Sequence, residues 1–300
     1  CRAVKMGLVA QVAQSYFELM ALDNELAIVR RTLEARREGV RLAEIRFKGG
    51  LTSEIVFQQA KVELAKTATM VPDLERRISL KESEIALLTG DFPYAVNRNV
   101  LPEEIQLPDA LPLGLPSTLL ERRPDIRKAE RELMAAHAEV GLAYTNMFPR
   151  LALTATLGAE SETLRDLLKS PYSYLAGNLL SPLFAMGKNR AALKAKRAAY
   201  EGAVAEYEKT VLTAFKETHD AIINFNKIKD IYESRRQLAE ASRTAVELAQ
   251  LQYINGVIGY LDLLDAQRNY FDAQVSLSNA VCNKQLMIIN LYKALGGGWK

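Results

Sequence analysis

The sequence predicts a mainly α fold of long antiparallel coiled-coil helical hairpins, to which one β-hairpin is added. Three observations predict it. Gly90 of IALLTG and Gly296 of LYKALG lie 206 positions apart, and the same offset lays Phe47 on Tyr253, Gly50 on Gly256, Leu51 on Val257, Ile55 on Leu261 and Ala60 on Ala266. A repeat of this size belongs to an assembled architecture more than to an ordinary enzyme. Only 10 of the 300 residues are Pro, and none follows Pro182, so no residue from Leu183 onward has to break a helix. Between the helical stretches, larger apolar residues alternate with small or hydroxyl ones from Phe148 to Gly158, which is the period of a strand.

The elements follow in order. Residues 1–90 read as the first-repeat hairpin: a helix from Ala3 to Phe47, a turn over Lys48–Thr52 and a return helix from Ser53 to Leu88. Pro72 lies inside the return helix and is expected to kink it, since an interior proline costs about 3 kcal/mol. Residues 91–116 hold half of all the prolines and read as an extended connector between the repeats. Residues 117–147 carry the second-repeat helix, from Pro124 to Asn146, with Ser117 and Asp125 as candidate caps and Pro124 in its first turn. Residues 148–190 hold two strands, Phe148–Gly158 and Ser173–Phe184. Residues 191–300 give a helix from Ala191 to Asn255, roughly 100 Å long at 1.5 Å per residue, then a turn at Gly256 and a last helix. Apolar residues at coiled-coil spacing, such as Leu261, Leu264, Phe271 and Val275, make the helices pack side by side.

Composition excludes several functions. A net charge of +3 arises from 39 basic and 36 acidic residues that alternate along the chain, so no nucleic-acid partner is implied. Cys1 and Cys282 are too few for a disulfide framework, and Cys282 falls in an apolar helical pattern that suggests a buried thiol. Cys1 suits either a lipidated terminus or a cut through a longer chain. No apolar run reaches the 18 or so residues of a membrane-spanning helix, so any membrane span must be β. A lone two-stranded hairpin is unstable, which makes oligomerisation an expectation. The symmetry of the repeat also leads one to expect roughly a hundred residues ahead of Cys1. His137 and His219 stand apart from other ligand types, and no phosphate loop or serine elbow is present. No catalytic residue, cofactor or metal is therefore assigned.

The stretch LPLGLPSTLLERRPDIRKAERELMAAHAEVGLAYTNMFPRLALTATLG resembles the central signature of the outer membrane efflux proteins, the TolC-like outer membrane factors, in their lipoprotein branch. SPLFAMGKNRA resembles that family's passage from its last strand into a long helix, YLDLLDAQRNYFDAQ its aperture helix and LYKALGGGW its ending. The resemblance implies a homotrimer in the outer membrane of a Gram-negative bacterium. Each full protomer would give four strands to one 12-stranded transmembrane β-barrel and its remaining helices to a periplasmic α-barrel. It also implies, as partners, a periplasmic adaptor (membrane fusion protein), an inner-membrane transporter of the RND type and outer-membrane lipid. This chain holds two of the four strands, and so resembles a protomer lacking its N-terminal part. A soluble coiled-coil scaffold or adaptor of a transport assembly, and the outer-membrane channel of a type I protein secretion system, are the alternatives.

The resemblance places the turns at Gly50 and Gly256 at a periplasmic tip where the tunnel narrows. Asp262 and Asp265, spaced i, i+3, project from one helix face, and threefold symmetry would gather six carboxylates on the axis as a cation-selective constriction. The residues alone favour a pair of Asp265 with Arg268 on a solvated face, and it is the resemblance that favours the constriction. Tyr253 matches a tip position that holds the aperture closed, and its hydroxyl is expected to make a hydrogen bond there. At two positions where related channels can carry an Arg and an Asp linking neighbouring hairpins, this chain has Ile258 and Val56. Phe148, Tyr172 and Tyr174 suit an interfacial girdle or core packing equally well.

Overall fold

The structure, a computed structural model, describes residues 2–98, 122–160, 162, 171–181 and 185–297. Its elements are α1 (Arg2–Lys48), α2 (Glu54–Thr89), α3 (Pro124–Thr145), β1 (Arg150–Ala159), β2 (Pro171–Leu180), α4 (Met186–Ile254) and α5 (Tyr260–Ala294). They pack as two units, one of residues Cys1–Pro124 and Ala214–Lys300, the other of Asp125–Thr213. No helix among the described residues is long and apolar enough to cross a membrane.

In the first unit α1 and α2 form the expected hairpin. Leu19, Leu22, Leu26 and Val29 of α1 close on Leu74, Ile78 and Ile85 of α2, and Phe271 of α5 packs against the same cluster. Helix α2 continues through Pro72 as one element. The start of the connector is tied down: Val96 is buried in that cluster, and Arg98 bonds Asp23 and Glu82, each at 2.7 Å. From residue 99 to 121 the connector, with the candidate cap Ser117, lies outside the described residues. Helices α4 and α5 pair around Ala221, Phe225, Leu291 and Ala294 at one end and around Ala249, Tyr253 and Leu263 at the other. Buried Arg123 donates to the Ala294 carbonyl at 3.1 Å and pairs with Glu217 at 2.6 Å, securing the end of α5. Cys282 is half-buried with its thiol directed at the Phe17 carbonyl, and burial pushes its pKa up to about 11, so it sits in the packing as an inert thiol.

The repeat read from the sequence governs the helix ends atom by atom. Leu51 N–H donates to Arg46 O and Val257 N–H to Gln252 O, both at 2.9 Å, while Gly50 N–H reaches Phe47 O at 3.0 Å and Gly256 N–H reaches Tyr253 O at 3.1 Å. The far ends repeat the pattern, with Asp91 N–H on Ala86 O and Gly297 N–H on Tyr292 O, again both at 2.9 Å. Every one of these contacts maps onto its counterpart by the same 206-residue offset. Gly50, Gly90, Gly256 and Gly296 have φ of 71°, 82°, 73° and 84°, the left-handed conformation that closes such a helix end and that side-chain-bearing residues resist.

The second unit contains α3, the strands and the start of α4. Lys196 pairs with Glu139 at 2.5 Å, the His137 ring lies 5.5 Å from that of Tyr200, and Asn189 donates to Asn146 O at 2.9 Å. The strands are antiparallel, with Leu151 opposite Leu179, Ala155 opposite Leu175 and Gly158 opposite Tyr172. The second strand begins and ends earlier than the Ser173–Phe184 expected, because Pro171 can occupy a first strand position that needs no ladder donor. The long helix likewise starts earlier than Ala191, its first turn closed by Asn189 N–H on Ala185 O at 2.9 Å.

The register sorts the hairpin into two unlike faces. Directly opposed residues share a face, so Leu151, Leu153, Ala155, Leu157, Leu175 and Leu179 line one side, with Ser173 among them, while Thr154, Thr156, Tyr172, Tyr174 and Asn178 line the other, with Arg150 and Leu180 at its end. The leucines are 68–84% exposed within the single chain. Tyr172 covers Gly158: a Cβ added at Gly158 would lie 2.9 Å from the Tyr172 ring. Tyr172 and Tyr174 thus stand opposite the leucines, and Phe148 packs edge-on to Tyr144 at 5.2 Å, which does not fit a lipid-facing girdle made by these three.

Candidate functional site at the hairpin tips

All the tip residues singled out in the sequence belong to the first unit. Arg46, on the last turn of α1, donates to the carbonyls of Tyr253 at 3.2 Å and Ile254 at 2.9 Å, and its guanidinium lies 4.5 Å from the centre of the Tyr253 ring. A helix end leaves such carbonyls without intrahelical donors, so one arginine of the first hairpin caps the long helix of the second. Arg46→Ala should therefore cost about 1–2 kcal/mol, read as a lowered melting temperature of the complete protein in detergent. Arg46→Lys should recover only part, since an ammonium cannot reproduce the fork.

Tyr253 itself is buried among Ala249, Leu263, Leu42 and Ile258, edge-on to Tyr260 at 5.9 Å. Its hydroxyl makes no hydrogen bond among the described residues. The expected hydroxyl contact is thus not made among the described residues, and what fixes Tyr253 there is its ring. Ile258, at a position where related channels can carry a linking charge, joins this apolar packing.

Asp262 and Asp265 are both exposed on α5. Asp262 acts locally, because its carboxylate accepts the Gly259 N–H at 3.0 Å and so caps the start of α5, where Gly259 has no side chain to do so. Asp265, 73% exposed at its side chain, lies 3.7 Å from Arg268, the loose surface pair that the residues alone allowed.

Sequence reasoning missed the strongest electrostatic feature of the tip. Glu63 of α2 is buried and receives Arg36 of α1 on Oε2 and Arg268 of α5 on Oε1, both at 2.5 Å, with Lys66 at 3.3 Å from Oε1. One carboxylate thereby joins three helices of both repeats. Burial opposes its ionisation, but the hydrogen bonds from Arg268 and Arg36 outweigh burial and hold its pKa at about 2. A signal was present in the sequence. Arg36 stands in a seven-residue series with Leu22, Val29 and Ala43, all buried, and Glu63 follows Ala60 on the buried stripe of α2. Charges at core positions of two facing helices predict each other.

Comparison with known proteins accords with this architecture. The sequence matches the family described as "Outer membrane efflux protein" over residues 1–91 and 115–297. Outer membrane protein OprJ of Pseudomonas aeruginosa is 35% identical over 99% of this chain and 63% of its own length. The solvent efflux pump outer membrane protein SrpC of Pseudomonas putida is 34% identical over 99% of the chain and 64% of its own. The chain thus spans somewhat less than two thirds of these relatives. The solved outer-membrane channel OprN superposes with a TM-score of 0.87 at 31% identity, covering 99% of this chain and 68% of that one. A match that takes in both helical hairpins and the strands between them makes this chain a member of the outer membrane efflux protein family.

Proposed function

We propose that the protein is the outer-membrane exit duct of an efflux system, passively conducting substrates that an inner-membrane transporter delivers through a periplasmic adaptor. One observation carries this reading: a β-hairpin with one face carrying five leucines and the other carrying Thr154, Thr156, Tyr172, Tyr174 and Asn178, both exposed in the single chain. In lipid every backbone group must be paired, so such strands are stable only in a closed barrel with an apolar exterior. Three protomers close it, and their helices extend the duct into the periplasm. Relatives named for efflux support the direction of transport. The duct itself supplies no energy, so the adaptor and pump must. The complete protein should extract from membranes only in detergent, migrate as a trimer and pass current across a planar bilayer. A water-soluble monomer would end this reading.

In the trimer, Asp262 and Asp265 of three chains form the acidic constriction between tips turned at Gly50 and Gly256, with Tyr253 holding the resting aperture. Because Asp262 also caps α5, the test keeps the cap and removes the charge. The double variant Asp262→Asn with Asp265→Asn should lower cation-over-anion permeability several-fold and relieve divalent-cation block in bilayer recordings. Wild-type selectivity in that variant would place the carboxylates away from the constriction.

A further inference from the structure

The two hairpins end alike but are not covered alike. At the far end of the second, the residues that lead into α3 pack onto the close of α5: a Cβ added at Gly296 would lie 3.1 Å from the Arg122 carbonyl carbon and 3.2 Å from the Arg123 nitrogen. The Ala294 carbonyl, which belongs to the last turn of α5, accepts Arg123 at 3.1 Å and Thr218 of α4 at 3.3 Å, while Glu217 balances that arginine at 2.6 Å. The 206-residue offset carries Gly296 to Gly90, Ala294 to Leu88, Thr218 to Val12, Glu217 to Gln11 and Ala214 to Leu8.

In the first hairpin the same place is bare. Gly90 matches Gly296 in its backbone, with φ of 82° against 84°, yet a Cβ added there meets nothing within 4 Å. No backbone donor outside the helix reaches the Leu88 carbonyl among the described residues, and Val12, in the place of Thr218, has no donor in its side chain. Leu8 is 43% exposed where Ala214 is 1%, and Val4, one turn before Leu8, is 72% exposed. An apolar stripe beside an unfilled helix end calls for a cover.

The repeat supplies the occupant. The segment that enters the second repeat closes the second hairpin, so by the same symmetry the segment that enters the first repeat closes the first. Its donor must differ in charge. Gln11 offers no carboxylate where Glu217 stands, and Glu84, one turn back along α2 from Leu88, is already held by Ser15 at 3.0 Å and Lys81 at 2.7 Å. A guanidinium buried here would lack a counter-charge, whereas an amide or hydroxyl satisfies the carbonyl without needing one.

We propose that this end of the first hairpin is the docking site of a segment of the complete protein that precedes Cys1, the equivalent of residues 122–124, and that a neutral side chain of that segment caps the Leu88 carbonyl. The offset puts it roughly 80 residues ahead of Cys1. Once docked, it covers Val4 and Leu8 and fixes where the chain enters the first repeat, as Arg123 does for the second.

The test is a structure of the complete protein in detergent by electron cryomicroscopy. The expected result is main chain from ahead of Cys1 in van der Waals contact with Gly90, with an Asn, Gln, Ser or Thr of that segment donating to the Leu88 carbonyl. An open site, an arginine in place of the neutral donor, or a cover made by a neighbouring subunit or a lipid overturns the proposal. Melting gives a second readout. Asparagine tolerates the left-handed conformation, so a Gly→Asn change probes the space beside the backbone more than φ. In the complete protein Gly90→Asn should lower the melting temperature by several degrees, as Gly296→Asn should through its contact with Arg122. If Gly90→Asn melts with the wild type, the space at Gly90 is open and the proposal fails. Neither readout measures conduction, so failure here would leave the exit-duct reading standing.

Discussion

Glu63→Ala is expected to cost the complete protein about 3–5 kcal/mol and to raise its resting conductance, because it leaves the Arg36 guanidinium, 8% exposed at its side chain, buried without a counter-charge. It also frees Arg268, so the only side-chain bridge from α2 to α5 at the tip is cut among the described residues. Loss of charge and loss of packing can be separated. Glu63→Gln keeps an acceptor for both arginines and should fall between wild type and Ala. Arg36→Met combined with Glu63→Leu should restore most of the stability, since buried ion pairs are commonly replaceable by apolar residues of similar volume. The double variant should still leak, because Arg268 then has no acceptor on α2. Melting curves and single-channel recordings of the four proteins decide it: if Glu63→Ala melts with the wild type, the bridge contributes nothing in the assembled protein.

The same bridge sets a pH dependence. The pKa of Glu63 falls from 4.5 to about 2 on folding, so its ionised form favours the folded state. That contribution, on the order of 3 kcal/mol, is complete above about pH 4.5 and is lost as the pH falls towards 2. Between pH 5 and 8 the bridge should therefore be insensitive, and any gating change in that window must come from other groups.

How much of this was legible in the sequence depends on the range of the interaction. Glycines at Gly50, Gly90, Gly256 and Gly296 terminate helices through backbone geometry alone, so a linear offset reveals all four ends. Strand alternation is also local, and Leu151, Leu153 and Leu157, which alternate along β1 with Thr154 and Thr156 of its other face, are legible as a period of two. The helix starts were less so: Pro182 bounds the passage into α4, but Gly187 inside its first turn and the lack of a capping signal leave the first helical residue to the structure. At the tip, the second role of Asp262, its cap on the Gly259 N–H, is not legible in the sequence, because it requires knowing that α5 starts at Tyr260. The Arg36–Glu63–Arg268 bridge brings together residues up to 232 positions apart, and a charge in an apolar series indicates only that a partner exists. Identifying that partner needs the packing of α1 against both α2 and α5.

Leu153→Arg should prevent most of the complete protein from reaching its folded trimeric state, whereas Thr154→Arg, one residue along the same strand, should be tolerated. Each strand has ten residues, the length that crosses a bilayer at a barrel tilt, and Leu153 and Thr154 lie near the middle of β1 on opposite faces. Arginine on the lipid face near the midplane costs about 2–4 kcal/mol, falling towards zero near the interfaces, while an inward-facing arginine stays hydrated. In the proposed trimer the barrel would repeat each substitution three times, so the penalty for Leu153→Arg would multiply within one cooperative assembly. The depth dependence gives an internal control: Leu179→Arg, near the end of β2, should fall between the two. The measurement is the fraction of membrane-extracted protein that runs as an intact trimer before heating. Equal loss for Leu153→Arg and Thr154→Arg would mean that the two faces do not divide lipid from lumen, and the exit-duct reading would lose the observation on which it rests.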